Sequence, residues 1–199
     1  MLIIETFEKK DLVQFAMKGE ECASGTAHAD NVAPSICGGF TLVRSYEPLD
    51  IIKIPAPENL WCAVIHPQIE VKTRDARKVL KSSVSLKKAV MQWGNLGGLI
   101  SGLYQKDYQL IGRSLEDVII EPVRSILIPG YDEVKKNSLA AGALGCSISG
   151  SGPSIFTLCE GEETAIKVKA EMEKVYQKFD VKFEVHISKV NDEGAKVVA

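Results

Sequence analysis

The chain has 199 residues, of which 45% are hydrophobic and 25% charged, and its formal net charge is -2. This length suits one sizeable domain, or one domain with part of another, and the composition is typical of a soluble globular protein. The weak charge and the dispersed basic residues exclude an electrostatic face for nucleic acid or anionic membrane.

The first fifty residues predict a helix near 8–20, a polar stretch at 22–31, a short helix at 32–39 that ends in two glycines, and a strand at 40–44. Three prolines between residues 46 and 58 mark the best candidate boundary in the chain. We therefore expect two domains, at 1–50 and 58–199.

The remainder begins with a continuous apolar run at 60–66, which predicts a buried strand. Helices are predicted at 74–80, 84–105, 108–118, 130–142 and 162–177, with a break at Glu121-Pro122. Further strands are predicted at 144–149, 154–159 and 181–188, the last from its strict alternation of apolar and polar residues. Four strands with helices on one side predict an α+β sandwich of ferredoxin-like type.

The five cysteines form no C-x-x-C pair and are odd in number. This pattern predicts reduced thiols and a cytoplasmic protein. The N-terminal residues lack a basic region before their short apolar run, so we predict no signal peptide. The three histidines lack paired ligand spacing, which argues against a zinc site.

A serine- and glycine-rich loop, Ser149-Gly150-Ser151-Gly152-Pro153-Ser154, lies between two predicted strands. Its backbone N–H groups could bind a phosphate. A plain hairpin turn favours the same residue types for steric reasons, so both interpretations stay open. The loop is not a Walker A motif, because no Lys-Ser or Lys-Thr follows the glycines.

A second polar segment, His28-Ala29-Asp30-Asn31, follows Glu20 and leads into the helix predicted at 32–39. Its composition is typical of an active site. Glu20 could bind Mg²⁺, which accepts a single carboxylate together with substrate phosphates. The alternative is that Asn31 only caps the helix and that the rest is solvated loop.

Two arginine segments complete the set of candidates: 73–77, which contains Thr73 and Arg77, and 121–124, which ends at Arg124. An arginine near the start of a helix can bind a carboxylate through two parallel hydrogen bonds. For either arginine alone, a solvated helix face is the favoured alternative.

Taken together and in this order, the four segments resemble homoserine kinase, a member of the GHMP family of small-molecule kinases. The matching stretches are E-x7-H-A-D-N-V-A-P-x3-G-G at 20–39, I-x-V-x-T-R-x-A-R at 69–77, D-V-I-x-E-P-x-R-x3-I-P-G-Y at 117–131 and G-A-L-G-x-S-I-S-G-S-G-P-S at 142–154. The last is similar to the third conserved motif of GHMP kinases. The resemblance implies ATP-dependent phosphorylation of the side-chain hydroxyl of L-homoserine, which yields O-phosphohomoserine for threonine biosynthesis.

The resemblance also implies roles for single residues. It assigns magnesium binding to Glu20 and nucleotide binding to the loop residues Gly150, Ser151 and Gly152. The implied substrate-binding residues are His28, Thr73, Arg77 and Arg124, and the catalytic candidates are Asp30 and Asn31. Because homoserine is a zwitterion, we expect Arg77 and Arg124 to converge on its carboxylate, with His28 and Asn31 across from them.

The sequence departs from the family in one respect. GHMP kinases carry an N-terminal P-x3-G-L-G-S-S-A loop for the ATP phosphates, and this loop does not occur here. We therefore expect residues 1–50 to be a remnant of the N-terminal kinase domain, joined to a GHMP-kinase C-terminal domain of ferredoxin-like type. We expect no measurable turnover by this chain without the missing N-terminal segment.

The cofactors implied are ATP and Mg²⁺, and a homodimer is left open. Two other functions also stay open at this stage. One is a GHMP kinase that acts on mevalonate, shikimate or a sugar, and the other is a non-catalytic amino-acid-binding module.

Overall fold

The structure is a computed structural model that describes residues 7–70 and 79–196. They form two compact units, of which the first contains residues 7–56 and 191–196 and the second contains residues 57–190. The division near residue 56 lies in the proline-rich stretch that marked the predicted boundary. The predicted C-terminal domain, 58–199, differs from the second unit because residues 191–196 pack with the first.

The first unit consists of two helices and a hairpin, α1 (Lys9–Ser24), α2 (Val32–Cys37), β1 (Phe40–Tyr46) and β2 (Leu49–Ile54). The two strands pair antiparallel. A capping box between Glu8 and Asp11 starts α1. The hydrophobic residues at the centre of this unit are Val13, Ala29, Ala33 and Leu49. Strand β2 was not predicted, because Pro48 and Pro55 lie on either side of it and made the whole stretch look like a linker.

Residues 191–196 join the first unit through backbone hydrogen bonds. The Gly39 N–H donates to the Asn191 carbonyl oxygen at 2.7 Å, and the Ala195 N–H donates to the Ser35 carbonyl oxygen at 2.8 Å. The Nζ of Lys9 donates to the Glu193 carbonyl oxygen at 2.7 Å. These long-range bonds have no signature in the local sequence, which explains why the boundary at 190 was not predicted.

The second unit contains a four-stranded antiparallel sheet made of β3 (Leu60–Pro67), β4 (Gly145–Ile148), β5 (Ile155–Glu160) and β6 (Phe183–Lys189). The strand order across the sheet is β4-β5-β3-β6. Numbered within this unit, the order is 2-3-1-4, which is the ferredoxin-like arrangement. The prediction that these four segments form one antiparallel sheet is confirmed.

The helices of the second unit are α3 (Leu86–Gln105), α4 (Tyr108–Ser114), α5 (Glu121–Arg124), α6 (Tyr131–Ala140) and α7 (Glu162–Tyr176). Helix α4 ends at Ser114, four residues earlier than predicted. The helical pattern does break before Glu121, since residues 115–120 are not helical. The short helix α5, which begins at Glu121, was not predicted, although proline is tolerated in a first helical turn. Most of the helix predicted at 74–80 lies outside the described residues.

One face of the sheet packs on α6 and α7 and forms the main core. Its buried residues include Ala63, Ile65, Cys146, Ile155, Cys159, Val134, Val168, Met172, Val175 and Tyr176. Burial of each large apolar side chain contributes about 1.5–3 kcal/mol, so this face supplies much of the stability of the unit. Within residues 7–70 and 79–196, no helix has the length and apolar character needed to cross a membrane.

Candidate functional site

The segment His28–Asn31 combines a fixed backbone with accessible polar side chains. Ala29 is fully buried, its N–H donates to the Tyr46 hydroxyl at 3.4 Å, and its carbonyl oxygen accepts from the Ala33 N–H at 2.8 Å. The side chains of Asp30 and Asn31 are exposed. The sequence Ala29-Asp30-Asn31 therefore presents two polar groups from an anchored turn.

Asn31 occupies the N-cap position of α2, but its side chain makes no capping hydrogen bond to the described first turn of that helix. Its carbonyl oxygen accepts from the Ser35 hydroxyl at 2.8 Å. The capping role considered for Asn31 therefore has no supporting side-chain hydrogen bond among the described residues.

Glu20 lies in the last turns of α1, where it is half-buried. The carbonyl groups at a helix C-terminus carry a partial negative charge, which favours a bound cation. Among the described residues, no cluster of three or more His, Cys, Asp or Glu side chains could hold a metal ion. A magnesium ion that takes one protein carboxylate and phosphate oxygens is compatible with this arrangement.

Arg124 ends the short helix α5, which is held by Asp117. The Asp117 carboxylate accepts from the N–H groups of Ile119 and Ile120, both at 2.8 Å, and of Glu121 at 3.1 Å. The Nη1 of Arg124 donates to the Gly150 carbonyl oxygen at 3.1 Å. One of the predicted carboxylate-binding arginines therefore contacts the serine-glycine loop directly.

The loop 149–154 connects β4 to β5 and is closed by two internal bonds. The Ser149 N–H donates to the Ser154 carbonyl oxygen at 2.8 Å, and the Gly152 N–H donates to the Ser149 carbonyl oxygen at 3.0 Å. Gly150 has a φ of 59° and Gly152 a φ of 82°, both in the left-handed region that favours glycine. A Cβ at Gly152 would also lie 3.0 Å from Ile128 Cδ1.

The loop keeps adjacent backbone donors available on its outer side. Within the described part of the chain, the N–H groups of Gly150 and Ser151 have no hydrogen-bond acceptor. The space around Gly150 is open, since a Cβ built there would meet no atom within 4 Å. Successive N–H groups in such a turn form an anion-binding nest, so the hairpin is also suited to a phosphate.

Sequence reasoning missed the functional interest of Glu121, which is only 8% exposed. Its carboxylate forms an ion pair with the Nζ of Lys135 on α6, and accepts from the Ser147 hydroxyl on β4 at 2.9 Å. Burial, together with the nearby Cys146 and Glu121, raises the pKa of Tyr131 above its usual value. No local signal in the sequence marked Glu121, because its two partners, Lys135 and Ser147, are distant in sequence.

The predicted site residues fall in different parts of the chain. Glu20, His28, Asp30 and Asn31 belong to the first unit. Arg124, Gly150, Ser151 and Gly152 belong to the second unit, and the structure brings Arg124 and Gly150 together. Thr73 and Arg77 lie outside the described residues. The convergence of Arg77, Arg124, His28 and Asn31 on one pocket stays a prediction.

Comparison with known proteins identifies the class. Residues 99–178, which include α5 and the serine-glycine loop, match the family of GHMP kinases at its C-terminal domain. This part of the second unit is therefore similar to the C-terminal domain of GHMP kinases, and its α+β fold agrees with that similarity.

Over most of its length the chain is similar to homoserine kinases. It is 54% identical to the homoserine kinase of Chlorobium phaeobacteroides strain BS1, over 96% of this chain and 60% of that protein. The homoserine kinase of Thermococcus gammatolerans is 38% identical over 92% of this chain and 61% of its own length. The chain thus spans about 60% of the length of the curated relatives it matches.

Solved structures agree with this family. The crystal structure of homoserine kinase from Cytophaga hutchinsonii superposes with a TM-score of 0.93 at 55% identity, over 97% of this chain and 61% of that one. A mevalonate kinase from L. major has a TM-score of 0.71 at 14% identity, over 96% of this chain and 60% of that one, which shows only a shared fold.

Proposed function

We propose that this chain acts in a homoserine kinase, which transfers the γ-phosphoryl group of ATP to the side-chain hydroxyl of L-homoserine in threonine biosynthesis. The observation that supports this most directly is the 55% identity to the Cytophaga hutchinsonii enzyme over 97% of the chain. The geometry of the described residues supports it independently, because Arg124 contacts a loop with unused backbone donors.

Arg124 is the candidate for binding the homoserine carboxylate. A guanidinium presents paired N–H donors in a plane, which matches a carboxylate better than an ammonium does. We propose that Arg77 and Thr73 assist Arg124, and that His28 faces the other end of the zwitterion. The bond from Arg124 to Gly150 gives this arginine a fixed orientation before substrate binds.

The loop 149–154 is the candidate for contact with the nucleotide phosphates. The N–H groups of Gly150 and Ser151 would donate to phosphate oxygens, and the absence of a Cβ at Gly150 lets the backbone approach closely. Glu20 would hold Mg²⁺, which neutralises charge on the phosphates when it is bound.

Asp30 and Asn31 are the candidates for orienting the attacking hydroxyl. Phosphoryl transfer proceeds through a loose transition state, so catalysis depends mainly on position and charge stabilisation. Because Ala29 is buried, the backbone from which the side chains of Asp30 and Asn31 extend is held in place. Asn31 would hold the hydroxyl in line, and Asp30 would orient it or accept its proton.

We also propose a cytoplasmic location. All five cysteines are free thiols in the structure, and persistent free thiols are typical of a reducing compartment.

The test is a coupled ADP-release assay with Mg-ATP and homoserine. It uses the chain as given, and the chain joined to the portion of the Cytophaga hutchinsonii kinase that the match leaves uncovered. Arg124→Lys should raise the KM for homoserine about tenfold or more. The reason is that the lysine ammonium cannot make the two parallel hydrogen bonds that the planar guanidinium makes to a carboxylate. Arg113→Lys, at an exposed position on α4, is the matched control and should leave the KM unchanged.

Two results would contradict the proposal. Turnover of mevalonate, shikimate or galactose in preference to homoserine would indicate another GHMP kinase. Binding of homoserine without ATP turnover by the joined protein would indicate an amino-acid-binding module. The corresponding variant Arg77→Lys tests the second predicted arginine in the same assay.

A further inference from the structure

A partly buried polar cluster surrounds the carboxylate of Glu121 and consists of Glu121, Lys135, Ser147 and the ring of Tyr131. Glu121 is 8% exposed and Tyr131 3% exposed. The Glu121 carboxylate uses one oxygen for Lys135 and the other for Ser147. The cluster is therefore closed around a single carboxylate that does not face solvent.

Each partner of Glu121 belongs to a different element. Lys135 lies on α6, and Ser147 lies on β4, two residues before the serine-glycine loop begins. Glu121 itself opens α5, and Arg124 closes it. The carboxylate thus connects the helix that carries Arg124 to the strand that leads into the loop.

Helix α5 needs such a connection because it has only four residues and is continued only by a three-residue 3-10 turn, Ser125–Leu127. A helix of this length has no cooperative stability of its own, since nucleation is costly and little propagation follows. Its position depends on side-chain contacts, with Asp117 at the start, Glu121 on the inner side and Arg124 at the end.

A buried ion pair is a poor device for stability alone. Removing two charges from water is expensive, and well-packed apolar residues of similar volume are often as stable. Directional bonds do, however, define distances, and a carboxylate with two separate partners on α6 and β4 fixes three elements relative to one another. Positional accuracy, rather than stability, is therefore what a charged residue provides at this place.

We propose that Glu121 is a positioning residue, which acts through Lys135 and Ser147 to hold Arg124 and the loop 149–154 at a fixed separation. For its kinetic consequences this inference rests on the function proposed above. The separation matters because Arg124 would fix the substrate carboxylate while the loop would fix the phosphates, and misplacement by ~1 Å can cost ~100-fold in rate.

The structural consequence is measured in the chain as given by amide hydrogen exchange of Ser149 and Gly152, the two loop residues whose N–H groups donate to loop carbonyl oxygens. Glu121→Ala removes both bonds of the Glu121 carboxylate and should speed exchange in the loop about tenfold or more. Glu121→Gln keeps the shape and one neutral acceptor, so its effect should be smaller. Lys135→Met removes the same ion pair, and its effect should be strongly non-additive with that of Glu121→Gln.

The matched control is Met172→Ala, which opens a cavity in the core of the same unit. It lowers stability but keeps both hydrogen bonds of Glu121, so it should leave exchange in the loop unchanged under native conditions. In the kinase assay, kcat/KM for homoserine should fall about 100-fold in Glu121→Ala and about tenfold in Glu121→Gln. In Met172→Ala it should change by no more than about twofold, measured below its unfolding transition.

The outcomes separate the two proposals. If the unaltered joined protein does not phosphorylate homoserine, the proposed function fails, and loop exchange alone decides the role of Glu121. If the Glu121 variants resemble Met172→Ala, with lower stability but unchanged loop exchange, then Glu121 is only structural and the inference is overturned.

Discussion

Ser138 on α6 is fully buried, and its hydroxyl has no hydrogen-bond partner among the residues that the structure describes. An unsatisfied buried hydroxyl costs about 1–3 kcal/mol relative to its hydration in the unfolded chain. Serine is also a weaker helix former than alanine. The residue is thus a local weakness in a helix that supports both the core and, through Lys135, the Glu121 cluster.

We predict that Ser138→Ala raises the free energy of unfolding by about 1–2 kcal/mol. The measurement is urea unfolding followed by tryptophan fluorescence, because both tryptophans, Trp61 and Trp93, lie in the second unit. Ser101→Ala on α3 is the control, since its side chain is exposed and reports helix propensity alone. A gain for Ser138→Ala no larger than that for Ser101→Ala would show that the buried hydroxyl carries no penalty.

At single residues, sequence reasoning found the polar side chains that local pattern distinguishes and missed those defined by tertiary contacts. Asp30, Asn31 and the loop glycines stand in polar stretches beside apolar elements, so composition alone marked them. Glu121 looked like part of a helix break, because its two partners are 14 and 26 residues away in sequence. No local pattern indicates that a carboxylate will be buried between such distant groups.

Among the glycines of the first unit, the closest backbone approach is between Gly38, at the end of α2, and Gly194. A Cβ at Gly38 would lie 2.3 Å from the Gly194 nitrogen, and one at Gly194 would lie 2.4 Å from the Ile36 carbonyl oxygen. Both glycines have φ near +75°. The return of residues 191–196 to this unit therefore depends on two positions without side chains.

We predict that Gly38→Ala destabilises the first unit by about 3 kcal/mol or more, because it combines backbone strain with a clash against backbone atoms. Gly19→Ala, in the middle of α1 with no neighbour within 4 Å, should instead stabilise it by about 0.5–1 kcal/mol. Amide exchange of residues 9–56 measures both effects, since this unit has no tryptophan. Equal effects of the two substitutions would contradict the close approach of Gly38 to Gly194.

The elements that were predicted well from the sequence are those with a clear pattern of apolar and polar residues. The alternation at 181–188 and the apolar run at 60–66 became neighbouring strands of one sheet. Helix α3 was predicted within two residues at its start, where Ser85 caps it. Strand β2 and helix α5 were missed because proline was treated as a breaker, although in both cases it stands where no backbone donor is needed.

At the scale of the whole second unit, its core is unusual in containing several titratable groups that are held neutral. Burial is the main cause that raises the pKa of Cys146 to about 12, with Lys135 acting against it and Glu121 adding to it. Burial likewise raises the pKa of Cys62 and that of Tyr176, each to about 12. These groups couple the stability of the unit to alkaline pH.

The sign follows from proton binding in the two states. An unfolded thiol releases its proton near pH ~8.5–9, whereas the folded thiol of Cys146 keeps its proton until about pH 12. Between these values the folded state binds more protons than the unfolded state, so stability falls as pH rises. The contribution is fully present below about pH 9 and is lost at about 1.4 kcal/mol per pH unit for each such thiol.

We predict that the free energy of unfolding of the second unit declines steadily from about pH 9 to about pH 11, and that Cys146→Ala reduces this slope by about 1.4 kcal/mol per pH unit. Urea unfolding followed by tryptophan fluorescence at several pH values measures the slope separately from the absolute stability.

Val134→Ala is the matched control, because it opens a comparable cavity in the same core without removing a titratable group. It should lower stability equally at every pH. A slope that is the same in Cys146→Ala as in the unaltered chain would show that this thiol ionises equally in both states, and would remove the coupling between core burial and alkaline stability.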